Sequence, residues 1–351
     1  MLKRLIFSTF GANNVVVKKV SIKDVAKKAG VSIASVSYVL NNRKDSRISE
    51  DTIKKVKNAA QELNYRPNKI AKSLKTQRTF TFGLLVADIA NPYFSQLARI
   101  IEDAAKHIGC TLIIGSCDED KEKFEDLINT FCDRQVDGLI IAPVANSANF
   151  LERIQKQAIP FVLIDRYIPS LRATTIGIDN TEVTFKGTEH LIKNNRKKIA
   201  FISYITDLQH LLDREIGFKN ALKAHKVPIK NSRLIKVDKD FIDRDIDKNL
   251  KQLLTPNPVI DALFFSSNKL AVAGLKTLVK LGIEVPEKIG VLAFDEVEAY
   301  KVFKVPVSHI KQPLYEIGVQ AVTQLEKMIK DPQTKFQKTT LEASLIVGAS
   351  S

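Results

Sequence analysis

Seven short apolar runs mark residues 80–351, and the residues that follow them are Asp88, Ser116, Pro143, Asp165, Ser203, Ser266 and Asp295. Six of these carry a carboxylate or a hydroxyl, groups that hydrogen-bond a polar ligand. Taken singly, each is equally a loop starter or a helix cap. Taken together they point to a polar pocket, because open α/β sheets bind ligands at the carboxyl ends of their strands. Catalytic patterns are missing: the sequence has no GxGxxG, GxxxxGK[ST] or GxSxG. The five histidines (His107, His190, His210, His225 and His309) show no HExxH spacing, so neither a metal nor a cofactor is expected. Asp295 and Glu296 are adjacent, which makes their side chains diverge rather than face each other across a scissile bond. Cys110, Cys117 and Cys132 form neither a CxxC pair nor a disulfide framework, and read as buried thiols in a reducing, cytoplasmic setting.

A second constellation is electrostatic. The chain carries a formal charge of +15, and residues 1–79 hold 18 Lys/Arg against 5 Asp/Glu. The remaining residues are close to neutral, so the excess sits on a basic head that calls for an anionic partner. Within the head, Ile22, Val25, Ala26 and Ala29 share one helical face, and Gly30 suits a left-handed stop. Ser32 is placed to cap a second helix with Val36, Val39 and Leu40 inward. Two short helices joined by a glycine turn predict a helix-turn-helix. Its outward side carries Ile33, Ala34, Ser37, Tyr38 and Asn41, either a solvated face or a set of base-edge readers in a major groove. Lys23, Lys27, Lys28, Lys54, Lys55 and Lys57 favour the second reading, since they are placed to neutralise phosphates.

The elements that must position these groups follow from periodicity. Runs at 82–87, 110–114, 138–142, 161–164, 199–202, 262–265 and 289–294 suit strands buried on both faces. Amphipathic stretches such as 95–108 and 122–135 lie between them, which predicts doubly wound parallel sheets. Ser49 caps a third head helix with Ile53, Val56, Ala60 and Leu63 inward. After Pro67, residues 68–75 can form a short helix too poor in apolar residues to stand without a cover such as DNA or a second copy. No apolar run reaches the roughly 18 residues of a membrane span. Residues 1–19 read as a flexible extension or as a segment ahead of the true start.

Residues 21–42, SIKDVAKKAGVSIASVSYVLNN, and 48–74, ISEDTIKKVKNAAQELNYRPNKIAKSL, resemble the head and hinge of the lactose-repressor (LacI/GalR) family. Stretches of the body, among them VDGLIIAP, PFVLIDR, DREIGF and KIGVLAFDE, resemble its periplasmic-binding-protein-like core, so the likeness spans residues 20–347. The resemblance implies a ligand-responsive regulator, most simply a repressor of carbohydrate-metabolism genes, that binds a palindromic double-stranded DNA operator as a homodimer. Its effector would be a sugar or, as runner-up, a purine. Ile33, Ala34 and Tyr38 match base-reading positions, and Ser32, Ser37, Asn41, Ser49, Thr52 and Asn68 match groove or phosphate contacts. Ala71 and Leu74 match the minor-groove wedge of paired hinge helices. Effector positions map to Asp88, Asn91, Tyr93, Phe94, Asp165, Arg166, Arg214, Ser267, Asn268 and Asp295.

The implied organisation is a head at 20–67, a hinge and linker at 68–79, and a core of two α/β subdomains, one at 80–179 and 312–336, the other at 180–311 and 337–351. Some residues depart from the family pattern. Tyr38 stands where many members have arginine, the loop 42–47 is longer and more basic, and Asn268-Lys269 replaces an Asn-Asp type pair. The chain has no tryptophan, and its tail SLIVGASS lacks a common arginine. Two other function classes fit the body alone: a transport-type sugar-binding protein, which has no use for the basic head, and a sugar-converting enzyme, for which no base and nucleophile pair is present.

Overall fold

The apolar runs become strands of two six-stranded sheets. In the computed structural model, which describes residues 20–40, 48–65, 78–256 and 259–351, the chain divides into two units, residues 1–77 and 78–351. Asn41, Asn68, Ala71, Leu74, the loop 42–47 and the expected hinge helix lie outside the described residues.

The first unit contains α1 (Ile22–Ala29), α2 (Ile33–Leu40) and α3 (Glu50–Glu62). The Ser21 backbone N–H and hydroxyl both donate to Asp24 Oδ2, at 2.8 and 2.7 Å, and fix the start of α1. Gly30 ends it at φ +64°, a left-handed position that a side chain rarely adopts. The Ser32 hydroxyl accepts the Ser35 N–H at 3.1 Å and opens α2. Val25, Ala26, Val36, Val39, Val56, Ala59 and Ala60 form the small core, so the three helices hold one another by the faces expected from their periodicity.

In the second unit, one sheet contains β1 (Thr81–Val86), β2 (Thr111–Ser116), β3 (Gly138–Ile141), β4 (Phe161–Ile164), β5 (Thr174–Ile178) and β11 (Lys338–Leu341), in the order β11-β5-β4-β3-β1-β2. The other contains β6 (Ile199–Tyr204), β7 (Arg233–Val237), β8 (Ala262–Phe265), β9 (Gly290–Phe294), β10 (Ser308–Lys311) and β12 (Ser344–Ile346), in the order β12-β10-β9-β8-β6-β7. The two orders are the same arrangement repeated. The ladders are parallel except at the edge, where β12 runs antiparallel to β10.

Both faces of each sheet are covered, which is why the runs are continuous rather than alternating. Leu84, Val86 and Ile140 pack with Leu97, Ile101, Ile317 and Leu325 from α4 (Pro92–His107) and α12 (Leu314–Lys330). On the opposite face, Leu85 and Leu139 meet Phe124, Ile128 and Leu151 from α5 (Lys121–Asp133) and α6 (Ala148–Lys156). The second sheet repeats the scheme. Phe201 and Phe264 pack with Leu191 and Phe218 from α7 (Asn180–Lys193) and α8 (Gln209–Ala224). Ile202 and Phe265 pack with Leu250 and Leu278 from α9 (Ile242–Leu254) and α10 (Asn268–Lys280). The short α11 (Ala299–Val302) buries Tyr300 in the same layer.

The chain passes between the lobes three times. It leaves the first sheet at Asp179, whose carboxylate accepts the Glu182 N–H at 2.9 Å and starts α7. It returns at Gln312 and Pro313, between β10 and α12. The third passage differs from the sequence expectation, which placed 337–351 wholly in the second subdomain. Lys338–Leu341 pairs with β5 in the first sheet, and only 344–346 joins the second. The reason is physical: β11 is an edge strand, half exposed and rich in threonine, with none of the apolar density that marks the central strands.

Candidate functional site

Two separate surfaces carry the chemistry. On the head, α2 turns Val36 and Val39 into the core, which leaves Ile33, Ala34 and Tyr38 exposed and Ser37 half-buried. Ile33 is 45% and Tyr38 41% exposed, so both side chains are open to a partner. Ser49 and Thr52 meet at the start of α3, where the Ser49 hydroxyl accepts the Thr52 N–H at 3.3 Å. The six lysines are not equivalent. Lys28 pairs with Glu62 and Lys55 with Asp51, whereas Lys23, Lys27, Lys54 and Lys57 have no ion-pair partner among the described residues.

Within the second unit, a cavity of about 590 Å³ opens between the two lobes at the carboxyl ends of their strands. Nine of the ten expected effector residues line it, namely all except Asn268. Asn268 is buried and turned aside; its amide donates to Asn91 Oδ1 at 2.7 Å, across the cleft. Of the seven residues that follow the apolar runs, the three aspartates reach the cavity, whereas Ser116, Pro143, Ser203 and Ser266 do not line it.

Asp165 follows β4 and Asp295 follows β9, equivalent positions in the two sheet orders. Both are nine-tenths buried, and both sit in the left-handed backbone region, at φ +64° and +63°. A non-glycine residue there stores backbone strain, a feature that concentrates at functional sites. Asp295 Oδ1 accepts the Gln312 amide at 2.8 Å. Burial raises the Asp295 pKa above the ordinary aspartate value, and Arg214 and Gln312 offset part of that rise.

The two arginines differ. Arg166 meets the Glu119 carboxylate end-on through NH1 and NH2, with one N–H···O distance of 2.8 Å, and NH1 also lies 3.3 Å from Pro143 O. Its Nε is 3.4 Å from Asp165 Oδ2, close enough for charge but without a hydrogen bond. Burial disfavours the Arg166 charge, and Glu119 more than compensates. Arg214, on α8, donates through Nε to Asn180 Oδ1 at 2.8 Å and through NH1 to Ser266 O at 2.6 Å. Its guanidinium stacks 3.7 Å above the Phe294 ring. Burial lowers its pKa, while Asp295 and Asp165 act against that shift. Tyr93 and Phe94 pack edge to face at 5.0 Å, and the Arg166 guanidinium covers the Phe94 ring. Ser267 caps α10 and donates to the Tyr204 hydroxyl at 3.1 Å.

Sequence reasoning missed several wall residues. Glu119 and Tyr204 lie at strand ends that carry no motif, and Gln312 sits on a crossover. His210 lies one turn before Arg214 on α8, a spacing that places both on one face. Its buried Nδ1 has no partner, and burial together with Arg166 and Arg214 holds its pKa well below 6.5, so the ring is neutral. Among the described residues no cluster of His, Cys, Asp and Glu is arranged to hold a metal ion, and no helix is long and apolar enough to cross a membrane.

Comparison with known proteins matches both units. Residues 21–68 match the family described as bacterial regulatory proteins, lacI family, and residues 188–351 match a periplasmic binding protein-like domain. The chain is 32% identical to the HTH-type transcriptional regulator RegA of Clostridium saccharobutylicum, over 93% of this chain and 97% of that one. It is 30% identical to the ribose operon repressor of Halalkalibacterium halodurans, over 93% and 96%. Among solved structures, the lac repressor dimer bound to operator and the anti-inducer ONPF superposes with a TM-score of 0.82 at 23% identity, covering 95% of this chain and 99% of that chain. These relatives are transcriptional regulators, not enzymes.

Proposed function

Because the chain belongs to the lacI family of bacterial regulatory proteins, we propose how its two surfaces divide the work of a DNA-binding transcriptional regulator. The α2 face reads the operator. Ile33, Ala34, Ser37 and Tyr38 approach base edges in the major groove, while Ser32, Ser49, Thr52 and the unpaired lysines approach phosphates. Asn41, Asn68, Ala71 and Leu74 complete the contact set, with Ala71 and Leu74 as the minor-groove wedge. Two copies on a two-fold axis read a palindrome, so the working species is a homodimer.

The cavity between the lobes holds the effector, and the protein is a cytoplasmic repressor rather than an enzyme. A sugar is favoured over a purine. The observation that carries this reading is that two buried carboxylates, Asp165 and Asp295, act on the charge of the buried Arg214, which stacks on Phe294. Hydroxyl groups both donate and accept, which suits acceptors and a donor placed together. A purine needs an open ring face, and Tyr93 and Phe94 already cover each other edge to face. Effector binding changes the lobe angle and, through it, the order of the hinge segment. The test is gel-shift titration of the purified protein with a selected palindrome, with and without candidate sugars. Affinity for the palindrome that no sugar alters, combined with turnover of a bound sugar, would refute the assignment.

A further inference from the structure

We propose that the cavity selects an uncharged, hydroxyl-rich effector and rejects its phosphorylated or carboxylated counterparts. This rests on the reading of the cavity as the effector site. The argument is an inventory of the charges in the wall. Seven carboxylates line the cavity against four basic groups. An anion is welcome in such a place only where a cation remains free to receive it, most effectively an arginine fork with two parallel N–H groups.

None of the four basic groups stands inside the cavity as an uncompensated cation. Arg166 is paired end-on with Glu119, and its Nε faces Asp165 at 3.4 Å. Arg214 has committed Nε to Asn180 and NH1 to Ser266 O, and its charge already faces Asp295 and Asp165. Lys269 pairs with Asp88 across the cleft. Lys239 is exposed at the rim, where solvent screens it. A phosphate or carboxylate entering the cavity therefore meets Asp165 and Asp295 with no uncompensated cation beside them to offset their charge. A hydroxyl meets no such penalty: it donates to either aspartate and accepts from the remaining N–H groups of Arg214. Lys269 also matters by what it occupies. By engaging Asp88 it removes both a cation and a carboxylate from the set that a ligand can use.

The experiment uses the full-length protein and probes paired by charge: D-ribose with D-ribose 5-phosphate, D-glucose with D-glucose 6-phosphate, and hypoxanthine as an uncharged base. Melting temperature and calorimetric titration are the readouts. Wild type is expected to bind the neutral member at least about tenfold more tightly than its phosphorylated partner. Glu119→Gln keeps the shape of the wall but opens the Arg166 fork, and should narrow that ratio by about tenfold. Lys269→Gln, at a half-exposed site, removes a cation and should widen it. A sugar phosphate that binds wild type as tightly as its parent overturns the proposal, as does a folded Glu119→Gln with an unchanged ratio. If hypoxanthine binds and no sugar does, the carbohydrate reading fails while the charge rule stands. Silence of every probe with wild type and both variants overturns both.

Discussion

Glu119→Gln also tests the energetics of the cavity wall. The substitution removes the carboxylate that closes the Arg166 fork. Arg166 is 8% exposed and Glu119 29%. Breaking a fully buried pair costs about 3–5 kcal/mol, and an exposed pair contributes about 0–1. Arg166 is not left stranded, because Pro143 O and the Asp165 carboxylate remain near. A loss of about 2 kcal/mol is therefore expected at pH 7, equivalent to a fall in melting temperature of roughly 4–8 °C. The pH dependence sharpens the test. Burial pushes the Glu119 carboxyl up, and Arg166 more than reverses this, so its folded pKa lies below the ordinary 4.5. A depressed carboxyl contributes stability above its unfolded pKa and loses it as pH falls through the folded one. The gap between wild type and variant should thus stay flat from pH 7 to about 5 and shrink only below 4.5, where protonated glutamate resembles glutamine. Urea unfolding across that range measures it. An unchanged midpoint at pH 7, or a gap that already narrows between pH 7 and 6, would refute the reasoning.

Four further outcomes are expected. Lys54→Ala and Lys57→Ala should each reduce the salt slope of DNA binding by about 0.9, on operator and random duplex alike; salt-titrated gel shifts read this directly. Tyr38→Arg replaces a single hydrogen-bonding group by a bidentate one, and should move the preferred base toward guanine by about 1–3 kcal/mol in selection from randomised palindromes. Leu74→Ala should weaken operator binding while sparing non-specific binding, and equal operator affinity would count against the hinge wedge. In Gly217→Ala the added Cβ collides with the Thr181 carbonyl oxygen, so α7 and α8 must separate; a loss of about 1–3 kcal/mol in urea unfolding is expected.

Legibility in the sequence tracked burial. Each of the seven apolar runs is a strand, six of them because a strand covered on both faces must be apolar throughout; the seventh, β2, is an apolar run at a sheet edge with Ile114 exposed. The five other strands, β5, β7, β10, β11 and β12, were invisible to that rule. They are edge or near-edge strands, such as TTIGI at 174–178 and KTTL at 338–341, where one face or one side meets solvent. The cavity followed a similar logic. Asp88, Asp165 and Asp295 were visible because a carboxylate directly after a buried strand has few other places to go. Ser203 and Ser266 obeyed the same positional rule yet turned inward, where their hydroxyls have no hydrogen-bond partner among the described residues. Gln312 was missed because it sits on a passage of the chain between lobes, and Glu119 and His210 because neither directly follows an apolar run. Arg214 was assigned by family resemblance alone, and nothing in its local spacing reveals the Phe294 ring beneath it.

Groups that line the cavity also hold the lobes together, so a ligand bound there would act on the contacts between them. Lys269 of the second lobe pairs with Asp88 of the first, and Asn268 bonds Asn91. The Tyr167 hydroxyl donates to Asp213 at 2.8 Å from the opposite direction. A ligand that takes Asp88 or Asn91 as a partner must replace one of these bridges, so it alters the lobe angle by the same atoms that give it affinity. How far the equilibrium moves is bounded by the difference in affinity for the two arrangements. The first described residues of this unit are held to the first lobe. Arg78 grips Glu326 on α12 at 3.2 and 2.8 Å and Asp137 at 3.3 Å. Asp137 in turn accepts the backbone N–H groups of Thr79 and Phe80 at 2.6 and 2.9 Å. Residues 78–80 are therefore fixed to the first lobe.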